Sequence, residues 1–414
     1  MIDIKFIREN SEKVQKGAES KNVSIDMHGL LAIDTKLREL NQQIQELYAQ
    51  RNTAAKERDI EKGKEIKLQL EGLETNQKEL DEKLKVFLAS IPNLPNDDVK
   101  IGKNDTENDV IKTVGGKPSF NFKPLDHVAL GEKLDIIDIE RAAKVSGARF
   151  AYLKNEGVLL EFALVQFAMD TLINKGFSPI IPPTIISKET MRGLGYMENG
   201  GEEDMFHLQD EDKVLVGTAE QSIVPMHKDE ILDIKKLPIR YVGYSSSFRR
   251  EAGSYGKDTK GILRVHQFDK IEMVSFVQSG KDDEEHEVLL SIEEELFQSL
   301  GIPYQVIKMC TGDLGFPAAR KYDIEAWIPT QEKYREVTST STTTDFQARR
   351  LNIKYREGEE KNYVNILNGT AFAIGRTLIA ILENYQQEDG SVVIPEVLRK
   401  YMNNTDKISP KSKY

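Results

Sequence analysis

The sequence predicts an α+β protein in two parts: a helical hairpin near the N-terminus, then a larger domain that mixes strands with helices. Three observations carry this. Between Leu30 and Ile91, apolar residues recur at alternating steps of three and four, the rhythm of paired helices. Between Arg240 and Glu272, two strands flank a long, charged, glycine-bearing loop. No P-loop is present, and no Gly-x-Gly-x-x-Gly follows a strand, so the nucleotide-binding signatures of doubly wound folds are missing.

A chain of 414 residues can bury a large core and fill more than one domain. Its net charge of −11 argues against a general nucleic-acid coat protein, whose affinity comes from neutralising phosphates, but leaves room for a local basic face. The start, Met1 to Arg8, has charges where a signal peptide needs an apolar run. The longest apolar stretch, Val158 to Met169, is broken by Glu161 and Gln166 and is too short to span a bilayer. A lone cysteine, Cys310, excludes an internal disulfide and a multi-cysteine zinc site. The expected compartment is the cytoplasm, with no membrane partner.

The first helical stripe is Leu30, Ile33, Leu37, Leu40, Ile44, Leu47, Arg51 and Ala54; the second is Ile66, Leu70, Leu73, Gln77, Leu80, Leu84, Phe87 and Ile91. Their matching lengths predict an antiparallel coiled-coil hairpin turning at Asp59 to Gly63. Pro92 and Pro95 stop the second helix. By itself such an arm reads as a dimerisation or spacer coiled coil. The expected division is an N-terminal domain at 1–100 with its arm at 30–91, a linker at 101–126 rich in Asn, Asp, Gly and Thr, a main domain at 127–403, and a loose Lys-rich tail at 404–414.

In the main domain, Gly157 to Asn174 reads as an amphipathic helix. Gly176-Phe177-Ser178-Pro179 leads into a strand whose proline suits an edge or an interface. Thr218-Ala219-Glu220 follows a short strand; its carboxylate and hydroxyl suit an ammonium group, and equally suit a helix start. Arg249 and Arg264 stand at the two junctions of the central loop, where their guanidinium forks can converge on one polyanion. A salt-bridged hairpin explains the same spacing. Gly253, Gly256 and Gly261 allow sharp turns or close backbone approach there. Glu336 and Ser339 are hard oxygen donors three residues apart, of a kind that suits Mg²⁺ on phosphates, although a Glu-x-x-Ser alone is nearly uninformative. Tyr363 to Leu367 reads as a strand and Phe372 to Tyr385 as a helix, so Thr370 and Arg376 flank a junction that favours anions.

Arg249-Arg250-Glu251-Ala252-Gly253-Ser254-Tyr255-Gly256 with Arg264-Val265-His266-Gln267-Phe268 closely resembles motif 2 of the class II seryl-tRNA synthetases. Gly176 to Pro183 is similar to motif 1 of that class, and Asn368 to Arg376 to motif 3. The arm, and the run His127 to Phe150, resemble the family's own extensions. Arg250, Gln221-Ser222-Ile223 and the hydroxyl run Ser339 to Thr344 depart from its commonest residues.

The resemblance implies an antiparallel sheet flanked by helices and a homodimer. It implies adenylation of L-serine by ATP with Mg²⁺, then transfer of serine to the 3′ end of tRNA(Ser), with tRNA(Sec) a further candidate. Thr218, Glu220, Arg249, Glu272 and Thr370 would bind serine. Arg249, Glu251, Arg264, Phe268, Glu336, Val337, Thr338, Ser339 and Arg376 would bind ATP, with Glu336 and Ser339 on the metal. Arg249 and Arg376 would be the catalytic pair, and His266 structural. The arm would meet the tRNA's long variable arm through phosphate and sugar contacts, the candidates being Lys36, Arg38, Arg51, Lys56, Arg58, Lys62, Lys64 and Lys67. One alternative is a ligase that charges a carrier protein, against which the arm speaks. Another is a non-enzymatic paralogue, which damage at the motif arginines or Glu336 would betray, and none is present.

Overall fold

A computed structural model of the chain describes residues 1–252, 256, 258 and 260–411. It divides into two compact units, Met1–Leu94 and the chain from Pro95 onward.

In the first unit, helix α1 (Met27–Glu57) and helix α2 (Ile60–Ala89) form the hairpin. Leu30, Leu37, Leu40 and Ile44 are buried against Ile66, Leu70, Leu84 and Leu88, as the heptads require. One detail differs from expectation. The turn lies at Arg58, in the left-handed region with φ 57°, and at Asp59, whose side chain caps α2 by accepting from the Lys62 N–H. Gly63 is therefore inside the first turn of α2 and leaves the reversal to a capping carboxylate. The stripe becomes polar: Gln77 Nε2 donates to Asn41 at 2.5 Å, and Arg51 lies 4.8 Å over the exposed Tyr48 ring. Polar pairs of this kind fix register at some cost in stability.

The second unit is built on one eight-stranded sheet: β1 (Asp109–Val114), β2 (Ser178–Ile180), β3 (Ile239–Phe248), β4 (Gln267–Val277), β5 (Tyr304–Lys308), β6 (Arg320–Ile328), β7 (Lys333–Thr342) and β8 (Asn365–Ala373). Their order across the sheet is β1-β5-β6-β7-β8-β4-β3-β2, antiparallel except for β2 beside β3. Pro179 does sit in an edge strand, where its missing N–H costs no ladder bond. The segment expected as linker contributes the other edge: β1 pairs with β5, and its mostly exposed side chains leave no hydrophobic alternation to read. The tail is also partly fixed. Lys407–Ile408 pairs with Val392–Val393, and Ile408 is buried in the main core.

Three helices cover one face of the sheet: α3 (Glu156–Asn174), α4 (Asp282–Ser299) and α5 (Ile374–Asn384). Ile271 and Met273 of β4, Ile324 of β6 and Phe372 of β8 bury against them in one continuous cluster. Two polar clamps orient α4: Asp282 accepts from Thr342 Oγ1 at 3.0 Å and Asn365 Nδ2 at 2.7 Å, and Glu285 pairs with Arg240 through two bonds of 2.7 and 2.6 Å. Alternation then sends Phe268, Lys270 and Glu272 of β4 to the opposite face. That face holds the cavity.

Candidate active site

The loop after β3 is pinned at its base by backbone. Arg249 N–H donates to His266 O at 3.0 Å, and His266 Nδ1 lies 3.0 Å from Arg249 O, while the imidazole packs between Phe150 and Phe206. His266 so fixes the strand ends. Beyond it, the Arg249 guanidinium donates to Gly217 O at 3.2 Å and lies 5.5 Å from the Phe268 ring centre. Arg264 turns to Glu251, at 2.5 Å, with Asp258 3.8 Å from its Nε. Glu251 is in the left-handed region with φ 53°, which bends the loop back on itself. The backbone N–H groups of Arg250 and Ala252 are held by Asp204, at 2.8 and 3.1 Å. The turn expected at Gly253 lies outside the described residues, as do Ser254 and Tyr255.

A second group lies across β4 and β8, where register sets Thr370 opposite Glu272. Glu272 is 1% exposed; its Oε2 is 2.5 Å from Lys270 Nζ and 3.4 Å from Thr370 Oγ1. Lys270 also reaches Thr218 Oγ1 at 3.2 Å. Glu220 opens a four-residue helix without a side-chain cap, so Thr218 is not an N-cap. Its carboxyl receives Tyr196 Oη at 2.9 and 3.0 Å and Gln347 Nε2 at 3.1 Å. Burial, then the Glu272 charge, push Glu220 up to about 7 against these donors.

The third group lines β7 and the start of α5. A bulge in the β6–β7 ladder falls between Ile324 and Glu325, and Ser339 stands opposite Asp323. Burial opposes charge on Glu336, but Arg376 and Lys321 outweigh it and hold the carboxyl well below its ordinary value. Arg376 Nη1 is 3.0 Å from Glu336 Oε2. Thr338 spends its hydroxyl on Thr370 O, at 2.5 Å. Asp323 is driven upward by burial despite Lys321 at 3.2 Å. The strand-to-helix junction differs from expectation: β8 runs on to Ala373, so Thr370 is a strand residue and Arg376 belongs to the first turn of α5. Pairing of β8 with β4 carries the strand past Gly369 to Ala373, with a bulge between Thr370 and Phe372.

All the expected site residues, from Thr218 through Arg376, line one cavity of about 370 Å³. Tyr196, Lys270, Lys321 and Asn368 line it too and were not expected. Lys270 had a signal, since it alternates with Phe268 and Glu272; Tyr196 and Gln347 had none, being brought to Glu220 only by folding. Among the described residues, no three or more His, Cys, Asp or Glu side chains are grouped to hold a metal. A cation here would rest on Glu336, Ser339 and oxygens of its ligand. Cys310 is buried away from the cavity, its Sγ donating to Asn104 O at 3.3 Å. The site is thus a wall of paired arginines and carboxylates, suited to orienting a polyanion beside a small zwitterion rather than to nucleophilic attack by the protein.

Residues 1–95 match the family model described as the seryl-tRNA synthetase N-terminal domain, and residues 205–385 match the class II tRNA synthetase core domain (G, H, P, S and T). A serine–tRNA ligase of Thermodesulfovibrio yellowstonii is 42% identical over 97% of this chain and 99% of its own. One from Exiguobacterium sibiricum is 44% identical over 99% and 100%. Among solved structures, the seryl-tRNA synthetase of Pyrococcus horikoshii complexed with ATP superposes with a TM-score of 0.94, at 42% identity and 100% coverage of both chains. The cytoplasmic serine–tRNA ligase of Naegleria fowleri in complex with AMP gives 0.91, at 32% identity, covering 100% of this chain and 99% of that one.

Proposed function

Since the chain belongs to the seryl-tRNA synthetase family, we propose that it activates L-serine with ATP and transfers the serine to the 3′ end of tRNA(Ser). The observation that carries this is the convergence of Arg249 and Arg264, from the two ends of one loop, and Arg376, from α5, on one cavity with Glu220 and Glu272. In the first step a serine carboxylate oxygen attacks the α-phosphorus, the bond to the β-phosphate oxygen breaks, and pyrophosphate leaves. In the second, a hydroxyl of the tRNA terminus attacks the adenylate carbonyl and AMP leaves. Neither step needs a covalent enzyme intermediate.

Arg249 bridges the serine carboxylate and α-phosphate, holding the reacting atoms in line. Arg264 and Arg376 take the outer phosphates, and Phe268 and Arg376 cover the faces of adenine. Glu251 reads the adenine amino group once released from Arg264. Thr218 and Glu220 hold the ammonium; Glu272 and Thr370 hold the side-chain hydroxyl. Val337 and Thr338 complete the nucleotide wall. An ionised Glu336 with the Ser339 hydroxyl fits Mg²⁺, which when bound supplies charge neutralisation for the triphosphate. The 30–91 arm grips the tRNA, and tRNA(Sec) belongs to the same proposal. The exposed apolar side chains Leu159, Phe162, Ile173 and Ile181, on α3 and just beyond β2, support a homodimer across that face. A cytoplasmic location fits this chemistry.

The test is pyrophosphate exchange with and without tRNA. Serine-dependent exchange should occur without tRNA, and purified tRNA(Ser) should accept serine. Exchange driven better by another amino acid would overturn the assignment.

A further inference from the structure

We propose that His127 and Glu383, neither of which lines the cavity, are positioning residues that set the outgoing limb of the 249–264 loop and thereby the reach of Arg264. Glu383 is 0% exposed near the end of α5 and gathers four donors. Its Oε1 accepts from His127 N–H at 3.1 Å and meets His127 Nδ1 at 3.2 Å; its Oε2 accepts from Thr330 N–H at 3.1 Å and Oγ1 at 2.6 Å. A carboxylate accepts, so Nδ1 is the protonated nitrogen, which leaves Nε2 as an acceptor. Ile262 N–H donates to it at 3.3 Å.

The approach is close enough to dictate sequence. Gly261 has φ +79°, and a Cβ placed on it would lie 1.9 Å from His127 Nε2. Ile262 and Leu263 are buried against the ring's side of the domain, and Arg264 is the next residue. From the other end, Thr330 is the middle residue of the turn Pro329–Gln331 between β6 and β7. Gln331 in that turn receives Arg335 Nη1 at 3.1 Å, and Arg335 Nη2 holds Asp258 at 2.5 Å. Asp258 belongs to the loop. One buried carboxylate therefore anchors both the imidazole behind the outgoing limb and the turn whose Gln331 holds the β7 arginine that grips the loop. Unlike the clamps on α4, this network ends on Ile262 and on Asp258, which lies 3.8 Å from Arg264, and a catalytic histidine would face the cavity.

This inference rests on the reading of Arg264 as a ligand of the outer phosphates. Its test is pyrophosphate exchange on full-length His127→Asn, His127→Gln, Thr330→Val and Arg264→Ala. Asparagine keeps a donor where Nδ1 stands but offers Ile262 no acceptor, whereas glutamine places an acceptor where Nε2 stands. KM for ATP should rise about tenfold in His127→Asn, the worth of one buried hydrogen bond, with KM for serine unchanged. His127→Gln should return it to within about twofold of the parent, and Thr330→Val should raise it about threefold. Equal behaviour of the Asn and Gln variants, or a parallel rise in both KM values, overturns the proposal. Should His127→Asn not fold, an unchanged ATP KM in Thr330→Val overturns it instead. An unchanged ATP KM in Arg264→Ala removes the phosphate assignment and this inference with it; impairment there, with normal His127→Asn, removes the inference alone.

Discussion

Replacing Glu272 by alanine separates selectivity from stability in this pocket. The carboxylate is almost wholly buried, 2.5 Å from Lys270 and 3.4 Å from Thr370 Oγ1. Truncation strands the Lys270 ammonium, left with Thr218 Oγ1 at 3.2 Å. Breaking a buried pair in this way costs about 3–5 kcal/mol of stability. That loss appears in the melting temperature and falls equally on every amino acid. Selectivity is a different quantity. A hydrogen bond to a charged group contributes about 1.5–3 kcal/mol, so serine alone should lose a further factor of roughly 10 to 100 in kcat/KM. A pocket that bonds the hydroxyl discriminates against alanine by about 10⁴; Glu272→Ala should shrink that ratio by the same 10 to 100. Threonine, refused for its extra methyl, should stay refused. Arg249→Ala is the control, since carboxylate and α-phosphate are common to all substrates and serine and alanine should fall together. The assay is pyrophosphate exchange with the three amino acids, beside thermal melts. An unchanged serine-to-alanine ratio in Glu272→Ala would refute the assignment of this carboxylate to the hydroxyl.

Exchanging residues 30–91 for a short Gly/Ser linker should leave adenylate formation within about twofold, as the arm's hydrophobic clusters hold only residues up to Leu94, and abolish tRNA charging; equal loss of both would make the arm part of the catalytic fold. Glu220, pushed up to about 7, holds its proton below that pH and can grip an ammonium only above it, so KM for serine should fall as pH rises from 6 to 8, and Glu220→Gln should flatten the profile. The same shift gives stability its sign: the native state keeps a proton that the unfolded chain has lost, so this contribution declines between the ordinary value of 4.5 and about 7, which thermal melts across pH will register. Glu336→Gln should raise the Mg²⁺ needed for half-maximal exchange about tenfold, the effect of one charged ligand; unchanged demand would take Glu336 off the metal.

The arm was legible because its contacts obey a local period, and Leu30, Leu37 and Ile44 needed only spacing to be placed. Its turn was not, since a left-handed Arg58 and a capping Asp59 did what glycine usually does. The cavity residues were legible through motif resemblance, whereas the donors to Glu220 were not. Tyr196 and Gln347 stand 24 and 127 residues from it, and no spacing rule reaches that far. Strand ends failed for another reason. The pairing of Thr370 with Glu272 belongs to two distant segments, so local propensity closed β8 too early. Likewise β1 has no buried face of its own and takes its conformation from β5.

Two arginines of the cavity are paired with carboxylates: Arg264 with Glu251, and Arg376 with Glu336. Orthophosphate, sulfate and organic acids would each lodge on an open guanidinium. To do so here, a small anion must evict a carboxylate and offers a single contact in return. A ligand with several anionic groups can exchange several partners at once. The two ion pairs therefore favour a polyanion that can replace both carboxylates over a small anion that can replace one.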